Sequence, residues 1–195
     1  MNPTIILAIV LTVAIWVALA YNTLVRTRQQ VRESWSGIDT ELKRRYDLIP
    51  NLVETVKGYA AHERETLEAV VEARSRAAAS RGTPESQARD EVKLVESMNR
   101  LLAVAESYPD LKASTHYLDL QRELANTEDR IQAARRFYNA NVRDMNTRVE
   151  VFPSNIIAST FGFGRETFFE VERSAIRQAV DVNFPGPDPT AENQP

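Results

Sequence analysis

The sequence predicts an all-α protein in which an N-terminal transmembrane helix continues into an antiparallel bundle of about four long helices. Three observations carry this. No side chain before Arg26 is charged, and Ile5 to Tyr21 is almost wholly apolar. Beyond Arg26, apolar residues recur at steps of three and four, the helical period and not the strand period of two. Helix breakers are confined to a few places, chiefly Pro50, Gly82-Thr83-Pro84, Tyr108-Pro109 and Phe152-Pro153.

Residues 1–25 form the anchor. A run of about 20 residues at about 1.5 Å each crosses a hydrocarbon layer of about 30 Å, and Pro3 to Val25 supplies that length. Trp16 and Tyr21 stand toward its C-terminal end, where amphipathic rings favour the interface. Ala18-Leu19-Ala20 also fits a signal-peptidase site, so a secreted, cleaved ligand-binding bundle is an alternative. The missing basic n-region and the arginines Arg26, Arg28 and Arg32 just after the run favour a retained anchor. The same arginines, by the positive-inside rule, favour a single-pass protein with the N-terminus outside and the body in the cytoplasm, the opposite orientation being the alternative.

Residues 26–182 form the body. Leu24, Val31, Trp35, Ile38, Leu42, Tyr46 and Ile49 carry the helical stripe onward, and only Gly37 interrupts good helix formers, so the anchor helix runs on to Pro50. There the helix should kink or restart, with Asp47 as a cap. A second helix carries Leu52, Val53, Val56, Ala60, Leu67, Val70, Val71 and Ala77, closing on a left-handed cap near Gly82. The third runs from Pro84 to about Glu106 on Val92, Val95, Leu101, Leu102 and Ala105. The fourth carries Tyr117, Leu120, Leu124, Thr127, Ile131, Ala134, Tyr138, Val142, Met145 and Val149, and is about 50 Å long. Phe152-Pro153 ends it. A short apolar piece, Ile156 to Gly164, precedes a last helix from about Arg165 to Ala179. Residues 183–195, rich in proline and without apolar periodicity, read as a disordered tail.

Composition narrows the function classes. A body of this length with 43% hydrophobic and 26% charged residues overall can bury a core. The net charge of −3, with both signs interspersed, offers no field for nucleic acid. With no cysteine there is no disulfide, thiol nucleophile or lipoprotein site.

Several blocks carry a resemblance. They are Tyr21-Asn22-Thr23-Leu24-Val25, the run Glu41-Leu42-Lys43-Arg44-Arg45-Tyr46-Asp47-Leu48-Ile49-Pro50-Asn51-Leu52-Val53, then Val56-Lys57-Gly58-Tyr59-Ala60-Ala61-His62-Glu63, Ala134-Arg135-Arg136-Phe137-Tyr138-Asn139, and Phe152-Pro153-Ser154-Asn155 with Phe161-Gly162-Phe163. In this order the chain resembles the LemA family of bacterial membrane proteins from Tyr21 to about Glu172. The resemblance implies a single-pass anchor and a bundle of long antiparallel helices, with a membrane-organising role in some relatives; it carries over no catalytic or ligand residue.

Catalytic constellations are hard to assemble. A di-metal bundle site needs Glu-x-x-His on two helices, but Tyr59 precedes His62 by three residues and Ala113 precedes His116 by three. Glu68 and Glu72 read as a solvated face, with Glu72 and Arg76 as an i,i+4 pair. Neither a Gly-x-Ser-x-Gly elbow nor a phosphate-binding glycine loop is present. No metal and no cofactor is therefore predicted. His62, in a polar stretch, is the sole handle for an enzyme reading, as an acid–base residue in a groove between helices; His116, beside Ser114 and Thr115, reads as part of a helix start.

Binding has more support. Arg26, Arg28 and Arg32 are candidates for contact with anionic headgroups. Lys43-Arg44-Arg45 spreads around a helix, so at least one of these cations should meet a carboxylate, with Asp47 or Glu54 as candidates for Arg45. Phe161, Phe163, Phe168 and Phe169 gather around Gly162 and Gly164, closing one end of the bundle or, if exposed, forming an association or membrane-contact surface. The leading reading is a non-enzymatic, membrane-anchored scaffold with heptad-like, coiled-coil seams. Its expected partners are membrane lipids, further copies of itself and other envelope proteins. An enzyme or enzyme subunit using His62 is the alternative.

Overall fold

The computed structural model describes residues 2–170. All its regular elements are helices: α1 Pro3–Lys57, α2 Arg64–Ala79, α3 Pro84–Ala105, α4 Pro109–Lys112, α5 Thr115–Glu150 and α6 Ser154–Thr160. Four are long, as the apolar periodicity predicts. The expected tail 183–195 lies outside the described residues.

Helix α1 is the axis. Its first turns are apolar and exposed, long enough to cross a membrane, and from Leu24 onward it buries Val31, Ile38, Leu42, Tyr46, Ile49, Leu52, Val53 and Val56. It does not stop or restart at Pro50, contrary to expectation. Proline leaves the carbonyl four residues back without its helical donor. That carbonyl belongs to Tyr46, and Arg74 on α2 donates Nε–H to it at 2.7 Å. With the carbonyl satisfied from outside, the helix passes Pro50 and ends only at Lys57.

The single second helix predicted from Leu52 to Ala77 is therefore two. Leu52, Val53 and Val56 belong to α1; a turn over residues 58–63 reverses the chain, and α2 returns along α1 with Leu67, Val70 and Ala77 buried. Val71, expected in the stripe, is exposed. No left-handed residue closes α2: Ser80 follows it in an extended conformation, and Gly162 alone among the described glycines has a positive φ, of 70°. Thr83 then caps α3, its hydroxyl accepting from the Ser86 amide at 3.2 Å.

On α3 the buried face is Gln87, Ala88, Glu91, Leu94, Ser97, Met98, Leu101 and Ala105. Val92 is exposed and Val95 and Leu102 are half-buried, so the predicted stripe is rotated from the observed one. Two polar residues, Gln87 and Glu91, occupy core positions that a purely apolar pattern passes over.

Helix α5 runs antiparallel to α1 over most of its length. Asn141 lies against Gln30, Tyr138 against Trp35, Arg130 against Glu41 and Glu128 against Arg45. Eight of the ten residues predicted for its stripe are buried, and Ala134 and Val149 pack against the core. Ser114 caps it, as read, accepting from the Tyr117 amide.

Two regions result. Around Leu42 to Val56 the chain forms a four-helix bundle of α1, α2, α3 and α5. Nearer the apolar end, α1 and α5 form a two-helix stalk. The α2–α3 hairpin turns back at the level of Tyr46, where Gln87 meets the Tyr46 hydroxyl and the Ala77 carbonyl, so it does not cover the stalk.

An extended strap, residues 163–169, runs along the stalk instead. A helix was expected to start at about Arg165; residues 165–170 are not helical, and the rest of that segment lies outside the described residues.

Candidate functional site

Side chains on α5 hold the strap. Asn146 donates Nδ2–H to the Glu166 carbonyl at 3.0 Å and accepts the Glu166 amide at Oδ1 at 2.8 Å. Asn139 does the same with Phe169, at 3.3 Å and 2.9 Å. Each amide thus stands in for the neighbouring strand that an extended segment otherwise needs. The spacing matches: seven helical residues advance about 10 Å, as do three extended ones. Between them the Tyr138 hydroxyl donates to the Thr167 carbonyl at 2.8 Å. Burial, with Glu166 as a second cause, pushes the Tyr138 phenol up to about 12, keeping it a donor.

The strap brings the phenylalanines in. Phe169 and Phe163 are buried, and Phe168 packs against the core partly buried. Trp35 meets Tyr138 and Phe169 edge to face, at 5.3 and 5.6 Å between centroids. At the other end, Tyr21 meets Phe161 at 4.8 Å and Phe163 at 5.8 Å. Phe161 alone of the four keeps a half-exposed ring. The cluster joins the last turn of the apolar segment to the body.

The three arginines after that segment diverge. Arg28 is half-buried, its guanidinium 4.7 Å from the Phe163 ring centroid, a cation–π contact. Arg26 and Arg32 are exposed. Opposite, α6 and the end of α5 lean on the apolar helix: Arg148, Pro153 and Ser154 share a crevice with Trp16, Leu19, Ala20, Thr23 and Leu24. The whole end of the body is thus assembled around Trp16 to Arg28.

Far above this collar, Arg45 is 2% exposed. Its guanidinium pairs with Glu91 on α3 and, at 2.6 Å, with Glu128 on α5. Neither candidate partner, Asp47 nor Glu54, is used. Glu91 also accepts from the Tyr46 hydroxyl, and Gln87 donates to that hydroxyl at 3.2 Å. Burial above all, then Glu91, drives the Tyr46 phenol well above its usual range. The Arg45 Nε has no acceptor. A buried cation shared by two carboxylates from different helices ties three helices into one register. It is a structural joint: Arg45, Glu91, Tyr46 and Gln87 bond one another within the core.

His62 sits exposed in the α1–α2 turn, and the groove between those helices is lined by Val53, Glu54, Lys57, Ala61, Arg64, Leu67, Glu68, Val71 and Glu72 without it. His116 is exposed in the first turn of α5. Glu72 pairs with Arg76 at 2.6 Å. Among the described residues, no group of three or more His, Asp or Glu side chains comes together.

Sequence reasoning missed Glu91, Asn139 and Asn146 as organising residues. The signal for Glu91 was its place with Gln87, Leu94, Met98 and Leu101 at helical steps; for the asparagines it was their seven-residue repeat on the stalk side of α5.

Residues 34–184 match the LemA family. The chain is 28% identical over 155 residues to the protein LemA of Metamycoplasma hominis, covering 78% of this chain and 71% of the relative. It is 26% identical over 189 residues to the magnetosome protein MamQ 2 of Paramagnetospirillum magneticum, covering 83% and 70%. With the magnetosome protein MamQ of Magnetospirillum gryphiswaldense, identity is 24% over 176 residues, covering 77% and 65%. A helical, membrane-anchored architecture and a match across most of the body agree: the chain belongs to the LemA family.

Proposed function

We propose that the protein is a non-enzymatic scaffold that holds a rigid helical rod at a fixed attitude to a bacterial inner membrane, with its body in the cytoplasm, and associates there with its own copies and with other envelope proteins. The observation that carries this is the continuity of α1, 55 residues from Pro3 to Lys57 without a break. A helix of that length is about 80 Å long, and the collar around Tyr21 and Arg28 braces it where it leaves the apolar segment. A flexible tether would need neither feature.

Self-association is supported by the open side of the stalk. Phe137 is 63% exposed and lines a shallow groove with Gln30, Glu33, Ser34, Gly37 and Ala134. A Cβ at Gly37 would meet nothing within 4 Å. A protruding ring beside a vacant notch on the same face suits two-fold packing of one copy on another. The similarity to magnetosome proteins agrees with a role in organising membrane.

The test is crosslinking in native membranes, with mass determination in mild detergent. Oligomers or specific captured proteins are expected, and Phe137→Glu should reduce the homo-oligomer. A strict monomer with no crosslinked partner overturns the scaffold reading. A two-residue Gly-Ser insertion at Arg26 should leave the protein in the membrane but change which lysines crosslink to neighbours; an unchanged pattern would reduce α1 to a tether.

A further inference from the structure

The corner between α5 and the strap, residues 151–164, contains Val151-Phe152-Pro153-Ser154-Asn155-Ile156-Ile157-Ala158-Ser159-Thr160-Phe161-Gly162-Phe163-Gly164, without one charged side chain. Charges bracket it closely: Arg148 pairs with Asp144 at 3.0 Å and Arg165 with Glu150 at 2.5 Å. Ile157, Ala158 and Phe163 turn inward, while Phe152 is 75% exposed and Val151, Ile156 and Phe161 are each about half exposed. A soluble protein rarely leaves such a concentration of large apolar side chains at one tip.

Its position says what covers it. A span of about 20 residues starting at Pro3 ends near Asn22; the crevice that Pro153 and Ser154 line with Arg148 runs from Trp16, Leu19 and Ala20 below that level to Thr23 and Leu24 beyond it, and Phe161 lies on Tyr21. Trp16 precedes Asn22 by six residues, or about 9 Å along the helix. The corner therefore straddles the end of the span, level with its last turns and the first residues beyond it.

Its hydroxyls are satisfied within the chain, while the buried Oδ1 of Asn155 has no partner. Ser159 and Thr160 return their hydroxyls to the Ile156 carbonyl at 3.0 and 2.7 Å, and Ser154 donates to the carbonyls of Arg148 and Val151 at 2.7 and 2.9 Å. Thr12 and Thr23 in the apolar part of α1 bond the carbonyls of Ala8 and Leu19 in the same way, as Thr40, Thr55, Thr127 and Thr147 do in the body. Hydroxyls satisfied within the chain need no water, which suits a medium that supplies little.

We propose that the corner seats in the interfacial layer of the bilayer that α1 crosses, with Phe152, Ile156 and Phe161 among the lipids and the Glu150–Arg165 and Asp144–Arg148 pairs at headgroup level. The protein then grips the membrane at two points, the anchor and the corner. Two points fix the tilt and rotation of the rod, which one helix alone leaves free. The inference rests on the reading of α1 as a spanning helix.

The absence of cysteine allows single labels. Full-length Phe152→Cys, Phe161→Cys, Phe137→Cys and Leu11→Cys proteins, each carrying an environment-sensitive nitrobenzoxadiazole label, would be reconstituted into phosphatidylethanolamine–phosphatidylglycerol vesicles, with and without nitroxide-bearing lipids. Blue-shifted emission at positions 152 and 161 is expected, quenched by lipid nitroxide at low protein-to-lipid ratio, with no quenching by lipid nitroxide at 137. Quenching at 11 but not at 152 or 161 overturns the corner and leaves the anchor standing. Failure at 11 overturns both. A blue shift at 152 that ignores lipid nitroxide and fades on dilution in lipid marks a contact between copies and also overturns the proposal.

Discussion

Arg74 on α2 donates Nε–H to the main-chain carbonyl of Tyr46 at 2.7 Å, and Tyr46 is the residue whose helical donor Pro50 removes. The pair explains why a proline inside α1 leaves the helix whole. Loss of a partner from a buried carbonyl costs about 1–3 kcal/mol. Arg74→Met should therefore lower stability by about that much, and Pro50→Ala, which restores an amide donor, should reduce the penalty of the second change. A double-mutant cycle of denaturant midpoints in detergent measures this coupling; strict additivity would dismiss it.

Asn139 and Asn146 each spend both halves of the amide on one strap residue. Asn146→Leu should free the strap, with hydrogen exchange at the Glu166 and Phe169 amides rising before the bundle is affected. Asn146→Asp keeps the acceptor and should hold the Glu166 amide better than leucine does. Equal protection in all three proteins would mean that the phenylalanines alone seat the strap.

Removing one partner of a buried ion pair costs about 3–5 kcal/mol, because the other charge is left in a poor solvent. Glu91→Ala should fall in that range, read as a lower melting temperature by circular dichroism. Glu128, whose side chain is 38% exposed, should cost less when replaced. Replacing Arg45 by Met together with Glu91 by Leu should recover much of the loss.

The fold should weaken in alkali. Burial raises Tyr46, Tyr117 and Tyr138 above the ordinary tyrosine value, Tyr138 to about 12. A raised folded value means that the native state holds the proton more tightly than the unfolded chain. The resulting stability is fully present below about pH 10 and is lost as pH rises through the folded values. Urea midpoints should fall from about pH 10 upward, and Tyr138→Phe should flatten part of the slope while costing about 1 kcal/mol at neutral pH. A slope unchanged in Tyr138→Phe would remove Tyr138 from this account.

Much of the architecture was legible without coordinates, because it depends on local chemistry. A charge-free apolar run can only be satisfied by a low-polarity surround, and the stripe from Leu24 to Ile49 and that from Tyr117 to Val149 can only be buried as helices of those phases. The cap at Ser114 is local for the same reason. What failed to show were relations whose partner lies far along the chain. Pro50 looked like an end because Arg74, 24 residues on, could not be seen to replace its lost bond. Glu91 was passed over because its counter-charge stands 46 residues earlier, on Arg45.

The four phenylalanines divide in the same way. Their number around Gly162 and Gly164 left two readings, a closed end of the bundle or an association or membrane-contact surface; Phe163 and Phe169 are buried and Phe161 is half exposed. Which ring turns outward was decided by the strap: two asparagines set its path, and that path leaves Phe161 beside Tyr21 at the rim. The sequence alone thus determined that this protein has an apolar anchor and helices of given phase, since both follow from which side chains water rejects. Only the tertiary structure decided where polar groups find partners, since hydrogen bonds and ion pairs are directional and short-ranged and exist only once the chain has brought both members together.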